Sequence, residues 1–128
     1  EHGAGLDFLL TQIVSHHALG PVAAFAEEAA RRGLTLPTFA GVFFYRSARP
    51  QTLAALAQFI PVPAAGLSAD FLERKMSAEE VAAATLSALA GLGFTRFYLS
   101  NLETGRAPAR RNAIARRAGL AAPERTAR

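Results

Sequence analysis

Three short apolar segments, each followed by a segment of helical periodicity, constrain the fold of this chain more than any other feature. They lie at residues 7–14 (DFLLTQIV), 36–45 (LPTFAGVFFY) and 94–100 (FTRFYLS). Apolar runs rich in β-branched and aromatic residues are typical of strands buried on both faces of a parallel sheet. The intervening segments are long enough for helical crossovers that return each strand parallel to the one before. The sequence therefore predicts an α/β fold.

Residues that start and stop helices delimit the crossovers. Pro21 and Pro50 stand where helices begin, since a proline in the first turn gives up no N–H donor that the helix needs. Gly33, after two arginines, predicts a left-handed cap at the end of the first helix. Ser77 and Glu80 have the spacing of a capping box and predict a helix through residue 90. Further helical segments are expected at residues 50–60, 63–76 and 108–119, within one domain over residues 1–120, followed by a frayed tail at 121–128.

Composition excludes several classes of function. The chain has no cysteine, so disulfides and thiolate zinc sites are ruled out. Its apolar stretches fall short of the roughly 20 residues that a membrane span requires. Half of its Lys and Arg residues lie in residues 106–128, but no aromatic residues interleave with them to stack on bases. We therefore expect a cytoplasmic protein with neither a nucleic-acid nor a membrane partner.

Ligands of parallel α/β folds bind beyond the carboxyl ends of the strands, so polar residues there are the candidates for a site. Gln12, beside Thr11, interrupts an apolar strand. Its amide has two interpretations: it reads the edge of a heterocycle, or it bonds to neighbouring backbone. Tyr98 either stacks on a flat ligand or packs at the rim, and Arg46 either meets a phosphate or is a solvated loop residue.

His16 and His17 follow the first strand directly. Adjacent side chains on a strand or loop are expected to point in different directions, so we predict no metal site there. General acid or base chemistry by one of the pair stays open. No carboxylate presents itself as a general acid, and the catalytic residues are left unassigned.

The strings AGLDFLLTQ (residues 4–12), PTFAGVFF (37–44) and FYLSN (97–101), in this order, resemble the C-terminal part of the methylenetetrahydrofolate reductase family. Members of that family show AGAxFxxTQ, PxxxGIxP and FYTLN. The resemblance implies a (β/α)8 TIM-type barrel that binds FAD and reduces methylenetetrahydrofolate with NAD(P)H in folate one-carbon metabolism. It also implies that Gln12, with Thr11, binds the pterin of the folate substrate, and that Tyr98 and Asn101 lie near the cofactor.

The chain departs from the family pattern at several positions. Leu102 and Glu1 stand where the family has an arginine and a lysine that contact the flavin, and Phe44 replaces a proline. Only the last three βα units of a barrel are covered, whereas a complete barrel has roughly 200 residues or more. We therefore expect a partial chain, inactive alone, that needs the missing part of the barrel or an oligomer partner. The alternatives are a noncatalytic α/β module that binds a partner subunit, and another barrel enzyme acting on a phosphorylated ligand.

Overall fold

The computed structural model describes residues 7–120, which form an α/β structure with a three-stranded parallel sheet. The strands lie in the order β1-β2-β3, and both neighbouring pairs are parallel, as the sequence predicts. The predicted tail at 121–128 lies outside the described residues. In chain order the elements are β1 (Leu9–Val14), α1 (Gly20–Arg31), β2 (Thr38–Phe43), α2 (Pro50–Leu56), α3 (Ala64–Ser68), a π-helical turn (Ala69–Glu73), α4 (Ala78–Gly91), β3 (Arg96–Ser100), a 3-10 turn (Thr104–Arg106) and α5 (Ala107–Arg117).

The strands are shorter than the apolar segments that predict them. Residues 7–14, 36–45 and 94–100 are predicted to be extended throughout, but the strands span only Leu9–Val14, Thr38–Phe43 and Arg96–Ser100. The pairing of β1 with β2 begins at Leu9 and Thr38, and the pairing of β2 with β3 ends at Phe43 and Ser100. Phe44, Tyr45 and Phe94 lie beyond these limits and are buried in loops, which hydropathy alone does not distinguish from strands.

The predicted helix ends are confirmed at two places. The Ser77 hydroxyl accepts from the Glu80 N–H at 3.1 Å, and the Glu80 carboxylate accepts from the Ser77 N–H at 2.8 Å. Gly33 has a left-handed φ of 68° just after α1, as expected of a residue that closes a helix. In contrast, α2 ends at Leu56, four residues before the predicted limit. Within residues 7–120 no helix has both the length and the hydropathy to cross a bilayer.

Two apolar clusters hold the elements together. Alternate residues of β2 and its extension, Ala40, Val42 and Phe44, point to one face of the sheet and pack with α1, α4 and α5. The second cluster includes Tyr45 and Leu67 and joins the chain after β2 to α2, α3 and α4. This second cluster places the segment between α2 and α4 at the carboxyl end of the sheet.

Strand β1 is an edge strand within the described residues. Phe8 and Leu10 are 52% and 58% exposed, so the expectation that this segment is buried on both faces is wrong for the described structure. The reason is that no other described strand pairs with the outer side of β1, which leaves its backbone and apolar side chains uncovered.

Candidate functional site

The pairing of β1 with β2 is interrupted at the two residues singled out in the sequence. Leu10 pairs with Phe39 and Ile13 pairs with Gly41, so two residues of β1 lie opposite one residue of β2. These two residues are Thr11 and Gln12. The arrangement is a β-bulge, a feature that re-aims side chains and is over-represented beside active sites.

The bulge is held by Tyr98, which crosses the sheet from β3. The Tyr98 hydroxyl donates to the Thr11 carbonyl oxygen at 2.5 Å, and the Gly41 N–H donates to Thr11 Oγ1 at 3.0 Å. The Tyr98 ring passes directly over Gly41: a Cβ at that position would lie 2.9 Å from Tyr98 Cε1 and closer still to Cζ and the hydroxyl. Gly41 is therefore needed for the close approach of the Tyr98 ring to the backbone of β2.

Gln12 is exposed and lines a cavity of about 580 Å³ along the open edge of β1. The walls of the cavity are mainly apolar and come from β1, from α1 and from residues Pro61–Pro63. Within residues 7–120 the amide of Gln12 makes no hydrogen bond, whereas its backbone carbonyl accepts from the Thr11 hydroxyl at 2.7 Å. The described structure thus leaves the amide available to a ligand.

The polar residues at the carboxyl ends of β2 and β3 bond to each other. Asn101, with a left-handed φ of 73°, donates from Nδ2 to the Phe44 carbonyl at 3.0 Å. Arg46 donates to the Asn101 carbonyl at 2.7 Å. Both Tyr98 and Asn101 therefore hold the sheet together, and their assignment as cofactor contacts stays a prediction.

A second polar cluster, which we call the His–Asp cluster, consists of His16, His17 and Asp70. The Nε2 atoms of the two histidines lie 2.8 and 2.7 Å from the same oxygen, Oδ2 of Asp70. The two imidazole rings are tilted by 40° with centroids 4.0 Å apart. The expectation that the adjacent histidines point in different directions is therefore wrong, because the turn after β1 directs both rings toward the same carboxylate oxygen of Asp70.

Neighbouring groups fix the orientation of this cluster. Thr85 Oγ1, on α4, lies 2.7 Å from His16 Nδ1 and accepts from the His16 N–H at 3.3 Å. Arg74 donates to Oδ1 of Asp70 at 2.6 Å, and Asp70 itself is 2% exposed. Sequence reasoning does not single out Asp70, which it places only in the segment before α4. The signal that could have identified it is an acid within an apolar stretch, LSADFL.

The electrostatics of the cluster favour an ionised Asp70 beside a neutral His16. Burial lowers the pKa of His16 and outweighs the hydrogen bond to Asp70, which raises it. Burial, the largest single influence, raises the pKa of Asp70, but the hydrogen bonds from His17 and His16 and the charge interactions with both rings together hold that pKa below its ordinary value. An ionised Asp70 accepts an Nε2–H from each ring, so His16 Nδ1 is then an acceptor for the Thr85 hydroxyl.

No protein-family model matches the chain, and no curated protein matches it significantly. Functional assignment therefore depends on the residues and their geometry.

Proposed function

We propose that this chain supplies the last three βα units of a (β/α)8 barrel that reduces a folate of the methylenetetrahydrofolate type with NAD(P)H, in the cytoplasm. The observation on which this depends is the exposed amide of Gln12, presented by the β-bulge beside a largely apolar cavity. A primary amide offers donors and an acceptor in one plane, which matches the edge of a pterin ring. The cavity has the volume typical of small-molecule sites.

In this proposal Thr11 positions the Gln12 amide and contributes less through direct contact with the ligand. Its hydroxyl and carbonyl are bonded to Gly41, Gln12 and Tyr98, which keeps the bulge in place. The Gln12 amide is then the group that reads the ligand, near the carboxyl end of β1 where parallel α/β folds bind their substrates.

The open edge of β1 supports the barrel part of the proposal. Parallel sheets are normally covered on both faces and paired at their edges, yet Phe8 and Leu10 are more than half exposed. We propose that a further strand, from the rest of the barrel or from an oligomer partner, pairs with this edge.

The residues at the end of β3 do not fit a flavin as the resemblance implies. The polar groups of Tyr98 and Asn101 are bonded within the sheet, and Leu102 packs against the first apolar cluster where the family has an arginine. No step of the proposed reaction is therefore assigned to FAD, and NAD(P)H is proposed as the reductant by resemblance alone.

The test is the binding of methyltetrahydrofolate to the purified chain, measured by titration calorimetry. Loss of two neutral hydrogen bonds costs about 1–3 kcal/mol, so Gln12→Ala should weaken binding by roughly 5- to 150-fold. Gln51→Ala, at an exposed glutamine of α2 outside the cavity lining, is the control and should bind as the parent does. Equal affinities for the two variants, or no folate binding by the parent chain, would contradict the proposal.

A noncatalytic module that binds a partner subunit is the second candidate, and the exposed edge of β1 favours it. Leu10→Lys should then abolish association, while Gln12→Ala changes nothing.

Under the leading proposal the isolated chain binds folate but does not reduce it, because the other barrel strands supply the proton donor. Turnover of methylenetetrahydrofolate by the purified chain would show that no further strands are needed.

A further inference from the structure

Three potential metal ligands converge in the His–Asp cluster, independently of the folate site. One ligand atom from each of His16, His17 and Asp70 lies within 4.8 Å of the other two, and both Nε2 atoms contact Oδ2 of Asp70. Zinc ligands about 2.0–2.2 Å from the ion in a tetrahedral arrangement are roughly 3.3 Å apart. The nitrogen–oxygen distances of 2.8 and 2.7 Å would therefore increase by only about half an ångström on binding, within reach of small side-chain rotations.

The groups around the ligands orient them as metal sites require. A metal-bound histidine commonly donates its other ring N–H to a fixed acceptor, and Thr85 Oγ1 lies 2.7 Å from His16 Nδ1. Arg74 holds the second oxygen of Asp70 at 2.6 Å. Gly66 allows α3 to pack against the His17 ring, since a Cβ there would lie 2.6 Å from Cδ2 and closer still to Cγ.

The cluster also has an open side. Asp70 is buried, but the side chains of His16 and His17 are 16% and 21% exposed, and they follow the carboxyl end of β1. A water molecule or an exogenous ligand can therefore complete a four-coordinate sphere from solvent. Two imidazoles and one carboxylate suit Zn²⁺ or Co²⁺, whereas a single carboxylate is a poor site for Mg²⁺ or Ca²⁺.

We propose that His16, His17 and Asp70 bind a divalent transition metal, with Zn²⁺ as the best-suited ion. The same atoms also form a closed hydrogen-bonded network when both Nε2 atoms are protonated. Metal binding requires Nε2 to be unprotonated, and the proton of His16 then lies on Nδ1. The Nδ1–H can donate a hydrogen bond to Thr85 Oγ1, because a hydroxyl both donates and accepts. The metal-free and metal-bound states thus differ in the histidine tautomers.

The experiment is a Co²⁺ titration of the untagged 128-residue chain, followed by visible absorption and then by competition with Zn²⁺. We expect a tetrahedral Co²⁺ spectrum that saturates at one equivalent and disappears on addition of Zn²⁺. His17→Ala should weaken binding at least tenfold, and Thr85→Val, which leaves all three ligands in place, by about tenfold. His2→Ala is the matched control, since His2 is the remaining histidine of the chain, and should bind as the parent does.

Two further measurements keep the test decisive. Asp70 is buried, so metal binding by Asp70→Asn is interpreted only where circular dichroism shows a parent-like fold. If Asp70→Asn unfolds, His17→Ala tests the metal site instead, because His17 is partly exposed. Side-chain ¹⁵N NMR should show Nε2 of both histidines losing its proton on addition of Zn²⁺. Absence of a Co²⁺ spectrum, unchanged affinity in His17→Ala, or loss of binding in His2→Ala would each overturn the proposal.

Discussion

Gly41→Ala tests how the candidate substrate site is built. The backbone of Gly41 is not left-handed, so an alanine can adopt its conformation without strain. Any destabilisation by Gly41→Ala must therefore come from steric contacts of the new Cβ. This Cβ would lie 2.9 Å or less from two ring carbons and the hydroxyl oxygen of Tyr98, whereas non-bonded carbon atoms normally stay 3.5–4.0 Å apart. Tyr98 must therefore move away from the Thr11 carbonyl, or the strands must separate.

The expected cost follows from these contacts. Overpacking costs about 1–3 kcal/mol, and loss of the Tyr98 hydrogen bond costs about 0.5–1.5 kcal/mol. Replacing glycine by alanine in a strand returns roughly 0.5–1 kcal/mol. The free energy of unfolding should therefore fall by roughly 0.5–4 kcal/mol, measured by urea unfolding followed by circular dichroism.

Matched variants separate the contact from other effects of alanine. A Cβ at Gly91, the last residue of α4, meets nothing within 4 Å, so Gly91→Ala should leave stability unchanged or raise it by up to about 1 kcal/mol. In the Tyr98→Ala background the ring is gone, and Gly41→Ala should then cost nothing further. A coupling energy between the two positions below about 0.5 kcal/mol would refute the reasoning.

Two further predictions concern the other clusters. Gly66→Ala should displace the His17 ring and break its hydrogen bond to Asp70, so the ¹⁵N NMR signal of His17 Nε2 should change in the metal-free protein; an unchanged signal would contradict the packing described. For Glu79, burial raises the pKa, but hydrogen bonds from its own backbone amide and from Arg110, together with the charges of Arg110 and Arg117, hold the pKa below its ordinary value of 4.5. A lowered carboxyl pKa stabilises the folded state above pH 4.5, and this contribution is lost as the pH falls through the folded pKa. Glu79→Gln should therefore be less stable than the parent at pH 7 and equal to it in acid. A stability difference that persists in urea titrations at acid pH would argue against an ionic contribution.

The order of strands and helices, the capping box at Ser77 and the left-handed turn at Gly33 could all be predicted from the sequence. Each depends on residues close together along the chain, whose periodicity and backbone preferences act locally. The same reasoning identified Gln12 as an amide out of place in an apolar strand. Strand limits were predicted less well, because the residues that pair are decided by the neighbouring strand.

What only the tertiary structure decided was which distant groups meet. Tyr98 reaches the Thr11 carbonyl across 87 positions of sequence, and Asp70 meets His16 and His17 across 54 and 53. The bulge at Gln12 likewise exists only through the register with β2. Local preferences determine the order of helices and strands, but side chains far apart in sequence are brought together by the packing of whole elements, which no short stretch of residues encodes.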